Sequence, residues 1–272
     1  MRIAITGGSG RIGQAVIKLV LAGGHSAVSI DQAIPAQPPE QPGLSFVQAD
    51  LTRHEEIEQA FSGCEGVIHL AAIPAPGHHP DHIVHNNNVV GSYNALNAAA
   101  KLGIDHVCQA SSVNATGLSY SRWPHFDYFP LDEKHPTYNE DPYSLSKWIC
   151  ELQADSFARR YETMTISSLR FSWVIEARPQ IANRFNKGQA KNLWSYTLLE
   201  AAAWACLLAL TADFKGHEVF YITGPETVSD TLSPELAQEF FPEVPVRADL
   251  ARNQSFFDCS KAERLLGWNP QQ

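Results

Sequence analysis

The chain has 272 residues, enough for one large α/β domain or two modest ones, and 44% hydrophobic against 18% charged residues fits a globular protein with a sizeable core. A formal net charge of −9 argues against a nucleic-acid partner, which would call for a basic face. Five scattered cysteines, Cys64, Cys108, Cys150, Cys206 and Cys259, disfavour a disulfide framework or a cysteine zinc site.

RIAIT (2–6) reads as a first strand, followed by a glycine turn and a helix through Leu21. HSAVSID (25–31) is a second strand, and the proline-rich stretch 34–43 a loop, because proline removes ladder donors and fixes φ. LSFVQAD (44–50) is a third strand, 54–63 a helix ending at Gly63, and GVIHLAA (66–72) a fourth strand. A helix is expected over 86–102, a fifth strand over 106–112, a long helix over 143–161 and a sixth strand over 165–171. Strands alternating with helices predict parallel βαβ units with right-handed crossovers, a Rossmann-type doubly wound α/β sheet.

Beyond this the pattern is less regular, with a helix at 197–211, a strand at 218–224, and helices at 233–240 and 258–268. These segments are expected to pack over the carboxyl ends of the strands, where open α/β sheets bind ligands. The expected division is a cofactor-binding core over 1–165, with the last core strands and a small substrate-binding region over 166–272, all one compact unit. The most apolar run, 198–210, contains Glu200 and is too short to span a bilayer, so it reads as a buried helix. The N-terminus shows no apolar signal region, and a cytoplasmic protein without a membrane partner is the expectation.

TGGSGRIG (6–13) follows a strand and opens a helix, the context that gives a Gly-x-Gly-x-x-Gly run its meaning. Gly7 and Gly8 allow a tight turn, Gly10 lets the backbone approach a pyrophosphate, and Gly13 brings the helix close to the sheet. Arg11 and Ile12 lie in the same loop, and the helix N-terminus adds free N–H groups and partial positive charge. Asp31 ends the second strand and would accept hydrogen bonds from the adenosine ribose while repelling a 2′-phosphate. No lysine or arginine occurs between Asp31 and Gly43, so NAD is expected over NADP, with Arg11 the one cation within reach of a phosphate.

Tyr143 and Lys147 stand four residues apart in DPYSLSK and would share a helix face. An ammonium beside a phenol favours the phenolate, so the pair is expected to act in proton transfer. Four histidines, His78, His79, His82 and His85, crowd 72–86, yet no cysteine or carboxylate pair completes a metal site there, and no metal is expected. The aromatic insert 117–129 is expected to be a lid or pocket wall.

Together these segments resemble the extended short-chain dehydrogenase/reductase superfamily, in particular its NAD-dependent epimerase/dehydratase group. TGGSGRIG is similar to the cofactor fingerprint, and Asp50-Leu51 sits where members carry an acid beside the adenine. His69-Leu70-Ala71-Ala72 is similar to the HLAA element lining the cofactor, NVVGSYN (88–94) to the NVxGTxN helix, and YSLSK to YxxSK. ASSVNATG (110–117) resembles the SSxxVYG strand end and puts Ser112 in the catalytic-serine position. The resemblance implies Tyr143 as general base and acid, Ser112 as the hydrogen bond to the substrate oxygen, and Lys147 on the nicotinamide ribose. It implies Asn88 in a water-linked proton path; its alternative is a buried asparagine that satisfies backbone groups.

A dehydratase of the group would show Thr-Asp-Glu where this chain has Ser112-Val113-Asn114, so no acid is available to eliminate water. The usual RPxNVYGP appears as LRFSWVIEARP (169–179), a departure on the nicotinamide side. Compact length and the ASSVNATG element resemble uronate dehydrogenases, which implies a small hydroxyl or carbonyl substrate such as a sugar or sugar acid. A sugar epimerase using NAD transiently and a non-catalytic dinucleotide sensor are the alternatives. Pro74, Ser112, Val113, Asn114, Trp173 and Arg184 are the candidate substrate contacts, with Arg178, Trp194 and Tyr196 as further pocket candidates; surface arginines and core aromatics are the alternative for these. A homodimer through helices 86–102 and 143–161 is implied by the same likeness.

Overall fold

The structure is a computed structural model that describes residues 1–37, 40–178, 187–248 and 250–269. Seven parallel strands form the central sheet: β1 (Arg2–Thr6), β2 (Ser26–Asp31), β3 (Leu44–Gln48), β4 (Gly66–His69), β5 (His106–Ser112), β6 (Thr165–Phe171) and, after two short strands, β9 (Gly216–Ile222). Their order is β3-β2-β1-β4-β5-β6-β9. The chain therefore reverses its direction of travel between β1 and β4, and such a switch point opens a crevice at the carboxyl ends. β7 (Val174–Ile175) and β8 (Thr197–Leu198) pair separately.

Helices cover both faces. α1 (Arg11–Ala22) buries Gly13, Val16, Ile17 and Val20, the i, i+3, i+4, i+7 stripe of an amphipathic helix, and packs with α6 (Leu199–Ala209) and α8 (Ser260–Leu266) on one side. α2 (His54–Phe61), α3 (Asp81–Lys101) and α4 (Pro142–Arg160) cover the other side. α4 starts where Asp141 accepts from the backbone N–H groups of Tyr143 (3.0 Å) and Ser144 (2.9 Å), with Pro142 preset for the first turn.

Several elements differ from the sequence expectation at their ends, for local reasons. β4 stops at His69, not at 72, because the Ala71 N–H leaves the ladder for Thr6 Oγ1 (3.3 Å) and the Ile73 N–H for Asn88 Oδ1 (2.8 Å). α3 begins at Asp81, not at 86, so His82 and His85 lie in the helix and Asp81 faces its positive end. The helix expected from 197 begins at Leu199, because Thr197 and Leu198 pair with Val174 and Ile175. The helix expected over 258–268 is Ser260–Leu266, since Asp258 turns back to cap the Ser260 N–H and Gly267 ends it in the left-handed region.

A third core cluster forms a lobe beyond the sheet. It joins Leu118, Phe126 and Phe129 of the insert, and Leu131 after it, to Trp194, Tyr221, Phe241 and Phe256, with α7 (Ser233–Phe240) packed in. Bridges from Phe129 to Val246 and from Leu131 to Phe257 tie the two stretches. The insert therefore gives Leu118, Phe126 and Phe129 to the lobe core, while Ser119 and Tyr120 reach the crevice. α5 (Lys187–Lys191) leads into the same lobe.

Phe256 is fully buried between Phe129 and Trp194. Phe256→Ala is expected to lower unfolding stability by about 3–5 kcal/mol. Chemical denaturation checks this, and a single transition is expected if lobe and sheet unfold together.

Candidate active site

The crevice is a cavity of about 990 Å³ running across the carboxyl ends of β1, β2, β4, β5 and β6. At one end lies the glycine turn. Gly7 has φ +70°, and a Cβ there would stand 2.8 Å from the Ala71 nitrogen. A Cβ on Gly13 would stand 2.2 Å from the Gly7 carbonyl oxygen, so α1 can lie this close only with glycine. The turn is held by the Gly7 and Gly8 N–H groups donating to Ile30 O at 2.8 and 3.3 Å. α1 has Gly10 as its cap, no side-chain cap bond and no acid in its first turn. Its N–H groups and dipole are thus arranged for an anion such as a pyrophosphate.

Asp31 closes this end. Its carboxylate accepts from the Ser9 N–H (3.1 Å) and the Gln32 N–H (2.8 Å), which fixes it at the cavity wall with lone pairs left for a diol. On the floor, Thr6 Oγ1 accepts from the Ala71 N–H and sits 2.8 Å from His69 Nδ1. Burial first, and the Lys147 charge second, lower the His69 pKa from 6.5 to about 3.

At the other end stand Ser112, Tyr143 and Lys147. One face of α4 carries Tyr143, Lys147, Glu151 and Asp155 at four-residue intervals, and each is fastened to the sheet. Lys147 Nζ donates to the Ala110 carbonyl at 2.7 Å. Glu151 receives the Ser111 hydroxyl at 2.5 Å and the Arg170 guanidinium at 2.8 and 2.7 Å, and Arg170 also reaches Tyr221 Oη at 3.1 Å. Asp155 pairs with His217 at 2.7 Å, whose other nitrogen meets Ser168 at 2.7 Å.

Burial pushes the Tyr143 phenol well above its usual range, opposed by its hydrogen bond with Ser112 and reinforced by nearby Tyr120 and Asp141. Burial also lowers the Lys147 ammonium, against the pull of Cys150 and Glu151. Burial is thus the largest influence on the phenol in the protein without cofactor. Lys147 Nζ stands 5.9 Å from the phenol ring centroid, and desolvation outweighs it.

Most sequence candidates come together here. Gly7, Gly10, Arg11, Ile12, Gly13, Asp31, Leu51, Leu70, Ala71, Ala72, Pro74, Ser112, Val113, Asn114, Tyr143, Lys147 and Trp173 all line the cavity. Asp50 stands behind Leu51, its carboxylate bound to Thr52 and Gln32. Asn88 also lies off the cavity wall. Its amide serves Ile73 N and O at 2.8 and 3.1 Å and Ser146 Oγ at 3.1 Å. Trp194 and Tyr196 are lobe core, with the Tyr196 ring filling the space above Gly224. Arg178 pairs with Glu226 at 2.9 Å and Thr227 O at 2.7 Å on the surface. Arg184 lies outside the described residues. Among the described residues no group of three or more His, Cys, Asp or Glu could hold a metal ion.

Gln32, Asn87, Ser119, Tyr120, Ser172 and Asn192 also line the cavity without having been singled out in the sequence, as does His79 of the histidine-rich loop. The aromatic insert was the signal for Ser119 and Tyr120. Asn192 had none, since it enters from a loop held by Ser172 and Ser195.

A parallel sheet with this order, a glycine cradle beside an acid-ended β2, and a Ser, Tyr and Lys grouped past β5 define a dinucleotide-dependent enzyme fold of the short-chain dehydrogenase/reductase type. A model of the NAD dependent epimerase/dehydratase family matches residues 3–211, and the chain belongs to that family. A putative UDP-glucose 4-epimerase of Methanocaldococcus jannaschii is 27% identical, over 99% of this chain and 93% of its own length. An L-arabinose 1-dehydrogenase (NAD(P)(+)) of Haloferax volcanii is 28% identical, over 65% of this chain and 68% of its own length. A short-chain dehydrogenase/reductase superfamily protein of Agrobacterium tumefaciens, solved with bound NAD, superposes with a TM-score of 0.75 at 19% identity, covering 100% of this chain and 93% of that one. NAD is the family's cofactor, and the cradle fits it. No helix among the described residues is long and apolar enough to cross a membrane.

The buried His69 yields a pH prediction. Its folded pKa of about 3 lies below the ordinary 6.5, so the unfolded chain takes up the proton first as pH falls. His69 therefore contributes stability above about pH 6.5 that is lost progressively toward pH 3, up to roughly 5 kcal/mol. Denaturation midpoints measured across this range should fall less steeply in His69→Gln than in the unsubstituted protein.

Proposed function

We propose that the protein is an NAD-dependent oxidoreductase that moves a hydride between nicotinamide and a small hydroxyl or carbonyl substrate, a sugar or sugar acid. The observation that carries this is the grouping of Ser112, Tyr143 and Lys147 in one cavity with the glycine cradle. When bound, NAD supplies the hydride acceptor and a positive ring charge at this end of the crevice. Tyr143 takes the hydroxyl proton from the carbinol, and returns it in the reverse direction. Ser112 binds the same oxygen. Lys147 is anchored on Ala110 and keeps further N–H donors for the ribose hydroxyls. Leu51, Leu70, Ala71 and Ala72 give the cofactor an apolar seat, and the apolar walls exclude water from the reacting atoms.

Asp31 favours NAD over NADP, since a fixed carboxylate repels a 2′-phosphate. Arg11, at the same end, is the counterweight. On the substrate side Ser119, Tyr120, Ser172 and Asn192 offer neutral hydrogen-bonding groups around Trp173, a lining suited to hydroxyls. The five cysteines are free, which agrees with a cytoplasmic setting. The similarity to 4-epimerases supports a second reading, in which NAD stays bound and is reduced only transiently.

One assay separates the two readings. NAD⁺ or NADP⁺ is offered with uronic acids, aldoses and secondary alcohols, and nicotinamide reduction is followed by absorbance. Stoichiometric NADH is expected with NAD⁺, and Tyr143→Phe should lower turnover about 10²–10⁴-fold while NAD still binds. Epimerised sugar without net NADH would instead support the second reading.

A homodimer is part of the same proposal. α3 and α4 leave Ile83, Val90, Tyr93 and Leu152 each about two-fifths exposed, an apolar face suited to the same face of a second copy. Light scattering at micromolar concentration should give twice the chain mass of 30.0 kDa, and Leu152→Glu should give the monomer mass.

A further inference from the structure

Ser112 lies at the end of β5, and Asn114 two residues later begins a 3₁₀ turn over 113–116. The backbone N–H of Asn114 donates to Ser112 Oγ at 3.1 Å, and its side-chain Nδ2 donates to the same oxygen at 3.3 Å. The amide orientation is not arbitrary. Asn114 Oδ1 accepts from the Ser119 N–H at 2.8 Å, and a backbone N–H can only donate. Nδ2 must therefore be the atom that faces the serine.

A hydroxyl has two acceptor positions and one hydrogen. Asn114 occupies both acceptor positions of Ser112, so the single hydrogen is left to point away from it. Tyr143 is the neighbour that hydrogen bonds with Ser112, and that bond favours the phenolate.

We infer that Asn114 is a positioning residue that sets the polarity of Ser112, making it a hydrogen-bond donor to the Tyr143 oxygen and to the substrate oxygen that replaces it. Asn114 is thereby distinguished from a substrate ligand, because its amide is spent on Ser112 and Ser119. The same amide ties the serine to the Ser119–Tyr120 wall, and the Tyr120 ring meets Tyr143 edge-on at 5.7 Å between centroids. One side chain thus sets both the donor and the wall around the reacting oxygen. Burial alone drives the phenol upward, and a fixed donor is the protein's own opposing force. The inference rests on Tyr143 as the proton acceptor.

The test follows Tyr143 itself and needs no substrate. The phenolate absorbance of the NAD⁺ complex is titrated, and Tyr143 is isolated by subtracting the same protein carrying Tyr143→Phe. Asn114→Asp has the same shape and keeps the acceptor for the Ser119 N–H, so the loop stays tethered, but it offers Ser112 no side-chain donor. Asn114→Ala removes the donor without adding charge. Both variants are expected to move the Tyr143 titration to higher pH by about half a unit or more. The acid limb of kcat/KM should move with it, with kcat lowered about tenfold and KM nearly unchanged.

A titration unmoved in Asn114→Ala overturns the inference, and so does a rise in Asn114→Asp alone, which is a charge effect. A wild-type phenol that stays protonated up to alkaline unfolding overturns it as well. Failure of the dehydrogenase reading would show separately, as absent NADH formation with the titration shifts intact.

Discussion

Glu151 and Arg170 meet inside the protein with both side chains about 5% exposed, two charges removed from water and joined by two short bonds. Desolvating such a pair costs several kcal/mol per ion, recovered only when every remaining donor and acceptor is engaged. Ser111 and Tyr221 provide those contacts, which ties α4 to β5, β6 and β9 at one point. A pair this constrained tolerates little rotation of α4. One turn away on the same face stands Lys147, and two turns away Tyr143. The placement of the reactive end thus follows from an ion pair that touches neither cofactor nor substrate.

The cradle end depends on a different constraint, close approach. α1 meets β1 at glycine distances, and β4 ends early so that Leu70 to Ala72 can face the crevice instead of a neighbouring strand. The two ends are linked through the floor. Thr6 holds both Ala71 and His69, and His69 is close enough to Lys147 to register its charge. Burial, with the Lys147 charge beside it, favours the neutral imidazole, so the floor supplies polarity without adding charge under the cofactor.

The sheet was legible in the sequence because its strands are short β-type runs set off by glycine and helix patterns, and the cavity ends of those strands carried recognisable motifs. What was not legible is informative. Trp194 and Tyr196 are as aromatic as Trp173, and nothing in a one-dimensional pattern separates a residue that fills the lobe from one that faces the crevice. Asn88 carries a family motif, yet its amide is spent on Ile73 and Ser146. Asn192 depends on a long-range loop contact that has no local signature. The insert divides its aromatics, with Tyr120 on the crevice wall and Phe126 and Phe129 in the core of the lobe.

The largest gap between sequence and structure is energetic. Tyr143 four residues before Lys147 suggests a phenol eased toward ionisation by a neighbouring charge, which is a statement about Coulomb attraction alone. In the folded protein both groups are buried, and desolvation opposes the charged form of each. A site of this kind is a poor base until something offsets burial. The protein's own offset is directional, a hydrogen bond from Ser112 at the phenol oxygen, since Lys147 is committed to Ala110 and distant from the ring. A directional donor differs from a charge in one respect that suits hydride transfer. It stabilises negative charge on whichever oxygen occupies its position, phenol or substrate, without adding a second cation beside the nicotinamide. Dry walls then serve the chemistry, because in a water-excluded site a fixed dipole is worth more than it is in solvent.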